Sequence, residues 1–353
     1  MNNQGMRARK QIISILILIL LISITFFFFL RGYSLDELKN ALRTANYAYL
    51  FGGLCLMFVF VGCEAFNIRM ILKTLGNRVP YRRCLEYSSL GFYFSSITPS
   101  AGGGQPLQIY YMKRDRIPIE VSSITIFFIV FVYQIAMILL GIIMTLFRFS
   151  EAVYFMHQMK YLFIFGFIAN TGGIFFFFAL MFSKRLVPAV MNFILKAGVK
   201  FKLIKKADTV RDRLNQSLIS YREKAMLIKE HTGLFFKVLF VSFLQMVSFN
   251  LIPSLVYCSM GNDIRNIPDL LTGHSIITIS VSAVPLPGAE GVTQGGFLRV
   301  YDNFFPPNML PYAMLIHRIV SFYIPLLISF MIYLYTHIRT TKQSVRGDIF
   351  DGK

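Results

Sequence analysis

The sequence predicts an all-α integral membrane protein with about six transmembrane helices. Two Pro/Gly-broken re-entrant segments complete it, arranged as an inverted-topology repeat. Three observations predict this: long uncharged runs, two apolar stretches interrupted by proline and glycine, and a lopsided distribution of basic residues.

The uncharged runs come first. Gln11–Leu30, Thr44–Cys63, Val121–Phe147, Tyr161–Ser183 and Val238–Asn262 each hold 20 or more residues without Asp, Glu, Lys or Arg. About 20 apolar residues cross the roughly 30 Å hydrocarbon core as a helix. Helices and closed barrels are the structures that satisfy every backbone group there. A sixth run, Met309–Ile338, is interrupted by His317 and Arg318. The chain is 55% hydrophobic with 37 Phe, far more than a soluble core needs. Arg31-Gly32-Tyr33 follows the first run in place of a small-residue cleavage site, so that run reads as a retained span. Cys55, Cys63, Cys84 and Cys258 show neither metal spacing nor a disulfide pattern, and no metal or cofactor is expected.

The basic residues set the orientation. A net charge of +19 would indicate nucleic acid in a soluble protein. Here the basic residues stand beside spans, so an anionic membrane surface is the expected partner and nucleic acid is not. With the N-terminus cytoplasmic and both broken segments returning to the side they enter from, the cytoplasmic pieces carry 27 Lys/Arg and the outer pieces 7. If Tyr87–Met112 crossed instead, 15 basic residues would move outside. The same test on the second segment moves few charges. Both termini are expected in the cytoplasm of a bacterial plasma membrane.

The predicted organisation follows. Residues 1–43 hold the first span and an outer loop. Residues 44–183 form a first membrane half with re-entrant segment 87–112. Residues 184–230 form a basic cytoplasmic segment, and residues 231–338 a second half with re-entrant segment 270–298. Residues 339–353 form a tail, polar and frayed from Thr340. Each half places a broken segment between two spans, and the two dips open on opposite faces, as in many secondary transporters. In the 184–230 segment, Val210, Leu214, Leu218, Tyr221, Ala225 and Ile228 mark one face of a helix. That face either covers the ends of the bundle or lies on anionic lipid.

The broken segments carry the candidate chemistry. In the first, Pro99 and Pro106 remove backbone donors, and Gly102, Gly103 and Gly104 disfavour continuous helix. Such backbone at membrane depth is tolerated where it is buried in protein or lines a wet cavity. Its free amides can hold an anion, as helix N-termini and backbone nests do. Ser95, Ser96, Thr98, Ser100 and Gln105 add neutral hydrogen-bonding groups. The alternative is a plain interhelical turn. In the second, Pro285, Pro287, Gly288, Gly291, Gly295 and Gly296 break the run, with Glu290 inside it. An ionisable group at depth is a functional candidate; at a shallow dip it is an ordinary loop acid. Arg318 with His317 suits a phosphate, and Glu290 suits an amine or Arg318 itself. Arg318 could alternatively snorkel to the outer interface. Gln245, Asn250 and Pro253 indicate a polar interior face. Glu64 and Arg69 flank the cytoplasmic end of the second span, near the first dip.

Thr98-Pro-Ser-Ala-Gly-Gly-Gly-Gln-Pro-Leu-Gln-Ile-Tyr-Tyr111 with its following basic turn resembles the lysylphosphatidylglycerol synthase transmembrane region, or flippase-like, family. Pro285-Leu-Pro-Gly-Ala-Glu-Gly-Val-Thr-Gln294 is similar to that family's second signature, Pro-Gly-Gly-x-Gly-x-x-Glu. The resemblance runs from the first span to the last. Two departures stand out: the usual Gly-Glu of the first signature is Gly104-Gln105, and the terminal Glu of the second is Gln294.

The resemblance implies a lipid translocase moving a phospholipid, such as lysylphosphatidylglycerol or a related anionic or aminoacylated lipid, between leaflets. In bifunctional relatives a separate soluble domain lysylates the lipid. This sequence ends within 15 residues of its last predicted span, so lysyl transfer is not expected of it. A phosphatidylglycerol lysyltransferase and a lipid-binding regulatory protein are the alternatives. The expected lipid contacts are Ser95, Thr98, Pro99, Gly102, Gly103, Gly104, Gln105, Pro285, Pro287, Gly288, Glu290, Gly291, Gln294, His317 and Arg318, with no catalytic residue among them. The oligomeric state is left open, a homo-oligomer included.

Overall fold

A computed structural model describes residues 35–99, 102–183, 188–189 and 207–350. The predicted span Gln11–Leu30, the tip residues Ser100 and Ala101 and most of 184–206 lie outside the described residues. After α1 (Leu35–Thr44), α2 (Tyr47–Thr74) begins at Asn46, whose side chain accepts a hydrogen bond from the Ala48 amide. The first broken segment is two helices, α3 (Tyr81–Ile97) and α4 (Gly104–Arg114). Then come α5 (Ile119–Phe147), α6 (Phe149–Gln158), α7 (Lys160–Phe182) and α8 (Ala207–Glu230). Next, α9 (Thr232–Asn250) and α10 (Ile252–Ser259) form one span broken at Leu251, with Pro253 in the first turn of α10. The second broken segment is α11 (Ile267–Val281) and α12 (Val292–Val300). The last span is α13 (Leu310–Arg318), a π-helical turn (Ile319–Tyr323) and α14 (Ile324–Phe350). No β-strand occurs among the described residues.

Among the described residues, five stretches are long and apolar enough to cross a membrane: Tyr47–Thr74, Ile119–Phe147, Lys160–Phe182, Thr232–Ser259 and Leu310–Arg339. They coincide with the second to sixth predicted spans. The protein is an all-α, multi-pass membrane protein. On α7, Phe165, Phe167, Ile168, Phe175, Phe176 and Phe178 are exposed, the pattern of a helix facing lipid on most of its circumference.

Both broken segments are antiparallel hairpins. In the first, the Tyr87 hydroxyl donates to Asp115 (2.6 Å) at the base, Gln108 donates to the Tyr87 carbonyl (3.2 Å), and Gly104 abuts Ser95 near the tip. In the second, the Tyr301 hydroxyl donates to the Leu270 carbonyl (2.7 Å) at the base and Gly296 abuts Ile277 higher up. The 11 residues of α4 and the 9 of α12 reach only about 16 and 13 Å, too short to cross. The first hairpin lies between the end of α2 and the start of α5. The second lies between the end of α10 and the start of α13. Three of the five described spans separate them, an odd number, so they enter from opposite faces. The second segment, whose course the charge count barely constrains, is therefore also re-entrant.

The halves pack reciprocally. The arm α3 of the first hairpin lies along α14 of the second half, and the arm α11 of the second hairpin lies along α5 of the first. Between the halves, α2 and α9 run antiparallel, with Phe60 against Phe249 (5.2 Å between ring centroids) and Asn67 Nδ2 donating to Ser242 Oγ (3.0 Å). A Cβ on Gly166 of α7 would collide with the backbone of Ile279 and Ser280. One turn on, Asn170 donates to the Ile279 carbonyl (3.2 Å) and Ser282 Oγ (2.7 Å), satisfying groups freed where α11 ends. Of the predicted apolar face on α8, Tyr221, Ala225 and Ile228 are buried, and the Tyr221 hydroxyl donates to the Leu180 carbonyl (2.9 Å). That part of α8 covers the bundle; the side chains of Val210 and Leu214 lie outside the described residues.

Candidate functional site

The tip of the second hairpin is built by residues that accept left-handed backbone. Gly288 (φ 59°), Ala289 (φ 49°) and Gly291 (φ 80°) turn the chain between α11 and α12. At Gly288 a side chain would also meet the Phe322 ring. Pro287 is buried, while Pro285 and Gly291 are exposed. Gln294, in the first turn of α12, accepts a hydrogen bond from the Gly291 amide (2.6 Å) through its side-chain oxygen. Its side-chain nitrogen donates to Glu290.

Glu290 is 3% exposed, so it is not the solvated loop acid of the shallow-dip alternative. Its carboxylate forms an ion pair with Arg318 from the last span. Arg318 also donates to the Gly288 carbonyl (3.2 Å), and its guanidinium lies over the Phe322 ring (4.2 Å). It is 5% exposed and turned inward, which removes the snorkelling alternative. Of the three partners suggested for these charges, Glu290 takes Arg318 itself. A buried pair is stable where further hydrogen bonds surround it, and Gln294 and Gly288 supply them. The π-helical turn begins directly after Arg318; such turns are frequent at functional sites.

His317 is directed elsewhere. Its ring stacks on Phe297 (5.3 Å) and meets His274 edge-on (5.1 Å), and neither ring nitrogen makes a hydrogen bond. His274 Nδ1 lies 3.0 Å from Asn250 Oδ1, which also accepts from Thr278 (2.9 Å). The expected joint phosphate site of His317 and Arg318 is thus divided into two neighbouring groups. Sequence reading identified Asn250 as interior but passed over His274, which sits in a helical arm with no motif around it.

The first hairpin has a neutral tip. Thr98 Oγ1 donates to the Phe94 carbonyl (2.6 Å) and accepts from the Gly103 amide (2.9 Å). The tight approach of Gly103 to Thr98, and of Gly104 to Ser95 and Gly91, leaves no room for side chains there. Pro99 and Gly102 are exposed and Gln105 is half-buried. The second tip packs against the first hairpin: Pro287–Ala289 rests against α3.

The sequence reading also passed over a charged clasp at the base of the first hairpin. Arg339 pairs with Glu86 (2.9 Å) and Asp115 (3.1 Å), and Arg83 pairs with Glu86 (3.0 Å). Thr336 donates to Glu86 (3.3 Å). Burial holds the Glu86 carboxyl above the usual carboxylate range, opposed by Arg83. At the base of the second hairpin Asp269 pairs with Arg148 (3.1 Å), and burial likewise raises its carboxyl. Arg339, which the sequence places at the start of a tail, is anchored here, and helix continues to Phe350.

Opposed helical hairpins meeting inside a bundle, with an ion pair at membrane depth, define a polytopic membrane protein built as an inverted repeat. Residues 11–329 match the family described as Lysylphosphatidylglycerol synthase TM region, and the chain belongs to that family. It is also 25% identical over 309 residues to a UPF0104 membrane protein of Archaeoglobus fulgidus, a match covering 82% of this chain and 88% of the relative.

Proposed function

We propose that the protein is a lipid translocase that moves a phospholipid headgroup past the meeting point of the two hairpins while the acyl chains stay in lipid. The observation that carries this reading is the Glu290–Arg318 pair, buried where the second hairpin tip meets the last span. Arg318 offers a phosphate its guanidinium once Glu290 is displaced, and a headgroup amine or Gln294 can then satisfy Glu290. The neutral groups of the first tip (Ser95, Thr98 and Gln105, with the Gly102–Gly104 backbone) provide hydrogen bonds to the same headgroup. Opposed entry of the hairpins gives the path two exits. The charge bias supports a cytoplasmic base for the first hairpin, cytoplasmic termini and a plasma-membrane location.

The test is leaflet exchange of headgroup-labelled phosphatidylglycerol and lysylphosphatidylglycerol in proteoliposomes. Wild-type protein is expected to accelerate exchange. The double variant E290Q/R318Q, which keeps polar contacts and removes both charges, is expected to lose that acceleration while retaining its thermal transition. No acceleration of either lipid by folded wild-type protein would overturn the proposal. Formation of lysylphosphatidylglycerol from lysyl-tRNA and phosphatidylglycerol by the purified chain would establish the lysyltransferase alternative instead.

A further inference from the structure

A second acid lies inside the bundle, away from the hairpin tips. Glu64 is on α2, ten residues before its end at Thr74, or about 15 Å along the axis. Gln108 of the first hairpin donates to its carboxylate (2.6 Å), and Ser88 of α3 also faces it. Among the described ion pairs none involves Glu64, in contrast to Glu290, Glu86 and Asp115. An acid within a span and without a cationic partner marks an ion path or proton relay by default.

The facing helix carries an independent sign. With Phe60 opposite Phe249 and Asn67 opposite Ser242, the antiparallel register of α2 and α9 puts Gln245 at the level of Glu64. Gln245 is 1% exposed and Asn67 is 0% exposed, and the side-chain oxygen of each is buried with no donor. A buried polar atom without a partner needs an explanation, and a bound ion or water is one. From α5, Tyr133 reaches the same face of α2, edge-on to Phe60 (6.5 Å). Tyr133 is the titratable group that interacts electrostatically with Glu64, and Cys63 adjoins it in the chain. Arg69 of α2 is exposed. The cluster therefore offers a carboxylate and two amide oxygens, with no lysine or arginine paired to the carboxylate.

We propose that Glu64, Gln245 and Asn67 form a binding site for a small hard cation, a proton or Na⁺, between the two halves of the protein. A carboxylate without a cationic partner, flanked by two amide oxygens without donors, suits such a cation. Because Gln108 ties Glu64 to the first hairpin, occupancy of the site bears on a hairpin whose tip the translocation reading places on the headgroup path. The ion is thereby linked to the translocation reading, although the site stands on its own geometry.

Dicyclohexylcarbodiimide, which partitions into apolar regions and modifies protonated carboxyls, tests this on the full chain in liposomes, read by peptide mass spectrometry. The Glu64 peptide is expected to take label, and labelling should fall more than about tenfold from acid to alkaline buffer, as a single titrating group requires. E64Q, which can still accept from Gln108, should take no label at this position. Suppression when Na⁺ replaces choline at fixed pH identifies sodium, and Q245L should abolish that suppression. Control by pH alone identifies the proton. Absence of label at every pH in protein with an unchanged thermal transition, or label indifferent to both pH and Na⁺, would overturn the site. Labelling needs no transport, so a protein that labels as expected but exchanges no lipid sinks the translocase reading and leaves the cation site standing.

Discussion

The two hairpins share a topology and differ in where they are held. The first is fastened at its base, where Arg339 bridges Glu86 and Asp115, and its tip has only neutral groups such as Thr98 and Gly103. The second is fastened to the last span at its tip, where Gln294 braces Glu290 and Glu290 pairs with Arg318, while its base pair, Asp269 with Arg148, ties it to the first half. The Arg339 and Arg318 clasps both end on the last span. Its two arginines, 318 and 339, stand about 31 Å apart along a continuous helix and grip one hairpin each. A shift of that span would load both clasps at once, and the π-helical turn beside Arg318 is a place for its register to change. Charge therefore holds the hairpins to the last span, and glycine lets the tips approach their neighbours.

Substitutions can break this comparison. The largest effect is expected for R318A, which leaves Glu290 buried and unpaired. A loss of about 3–5 kcal/mol is expected, seen as a strongly lowered thermal transition in detergent. The E290Q/R318Q double variant should recover most of it. R339A should cost less, about 1–3 kcal/mol, because Arg83 still pairs with Glu86 and Tyr87 still donates to Asp115. It should also make the base of the first hairpin more susceptible to proteolysis, while R318A should not. G288V forces a side chain against Phe322 at a positive φ and should cost about 1–3 kcal/mol by the same thermal assay. The smallest change is expected for S242A, which removes one hydrogen bond to Asn67 between the halves, about 1 kcal/mol.

Much of the fold was legible because lipid imposes one rule along the whole chain. Uncharged runs marked the spans, and Pro99, Gly102–Gly104, Pro285, Pro287 and Gly288 marked both hairpin tips. Glu290 and Arg318 stood out as charges in apolar surroundings, and they do pair. What escaped depends on distance in three dimensions. Glu86, Asp115 and Arg339 look like ordinary membrane-edge charges until the last span closes on the first hairpin. Glu64 looked like another edge residue until α4 brought Gln108 to it. The division of His317 from Arg318 was equally hidden, because neighbours in a helix point about 100° apart and meet different partners.

The opposed entry of the hairpins is tested most directly by sided thiol labelling. Cys55, Cys63, Cys84 and Cys258 would first be replaced. Single cysteines then go at exposed positions beside each hairpin base, Lys113→Cys for the first and Asp302→Cys for the second. In sealed vesicles of one orientation, a membrane-impermeant maleimide should reach one position from the outside and the other only after the vesicles are opened. Labelling of both from the same side would contradict the inverted repeat and, with it, the two-exit path for a headgroup.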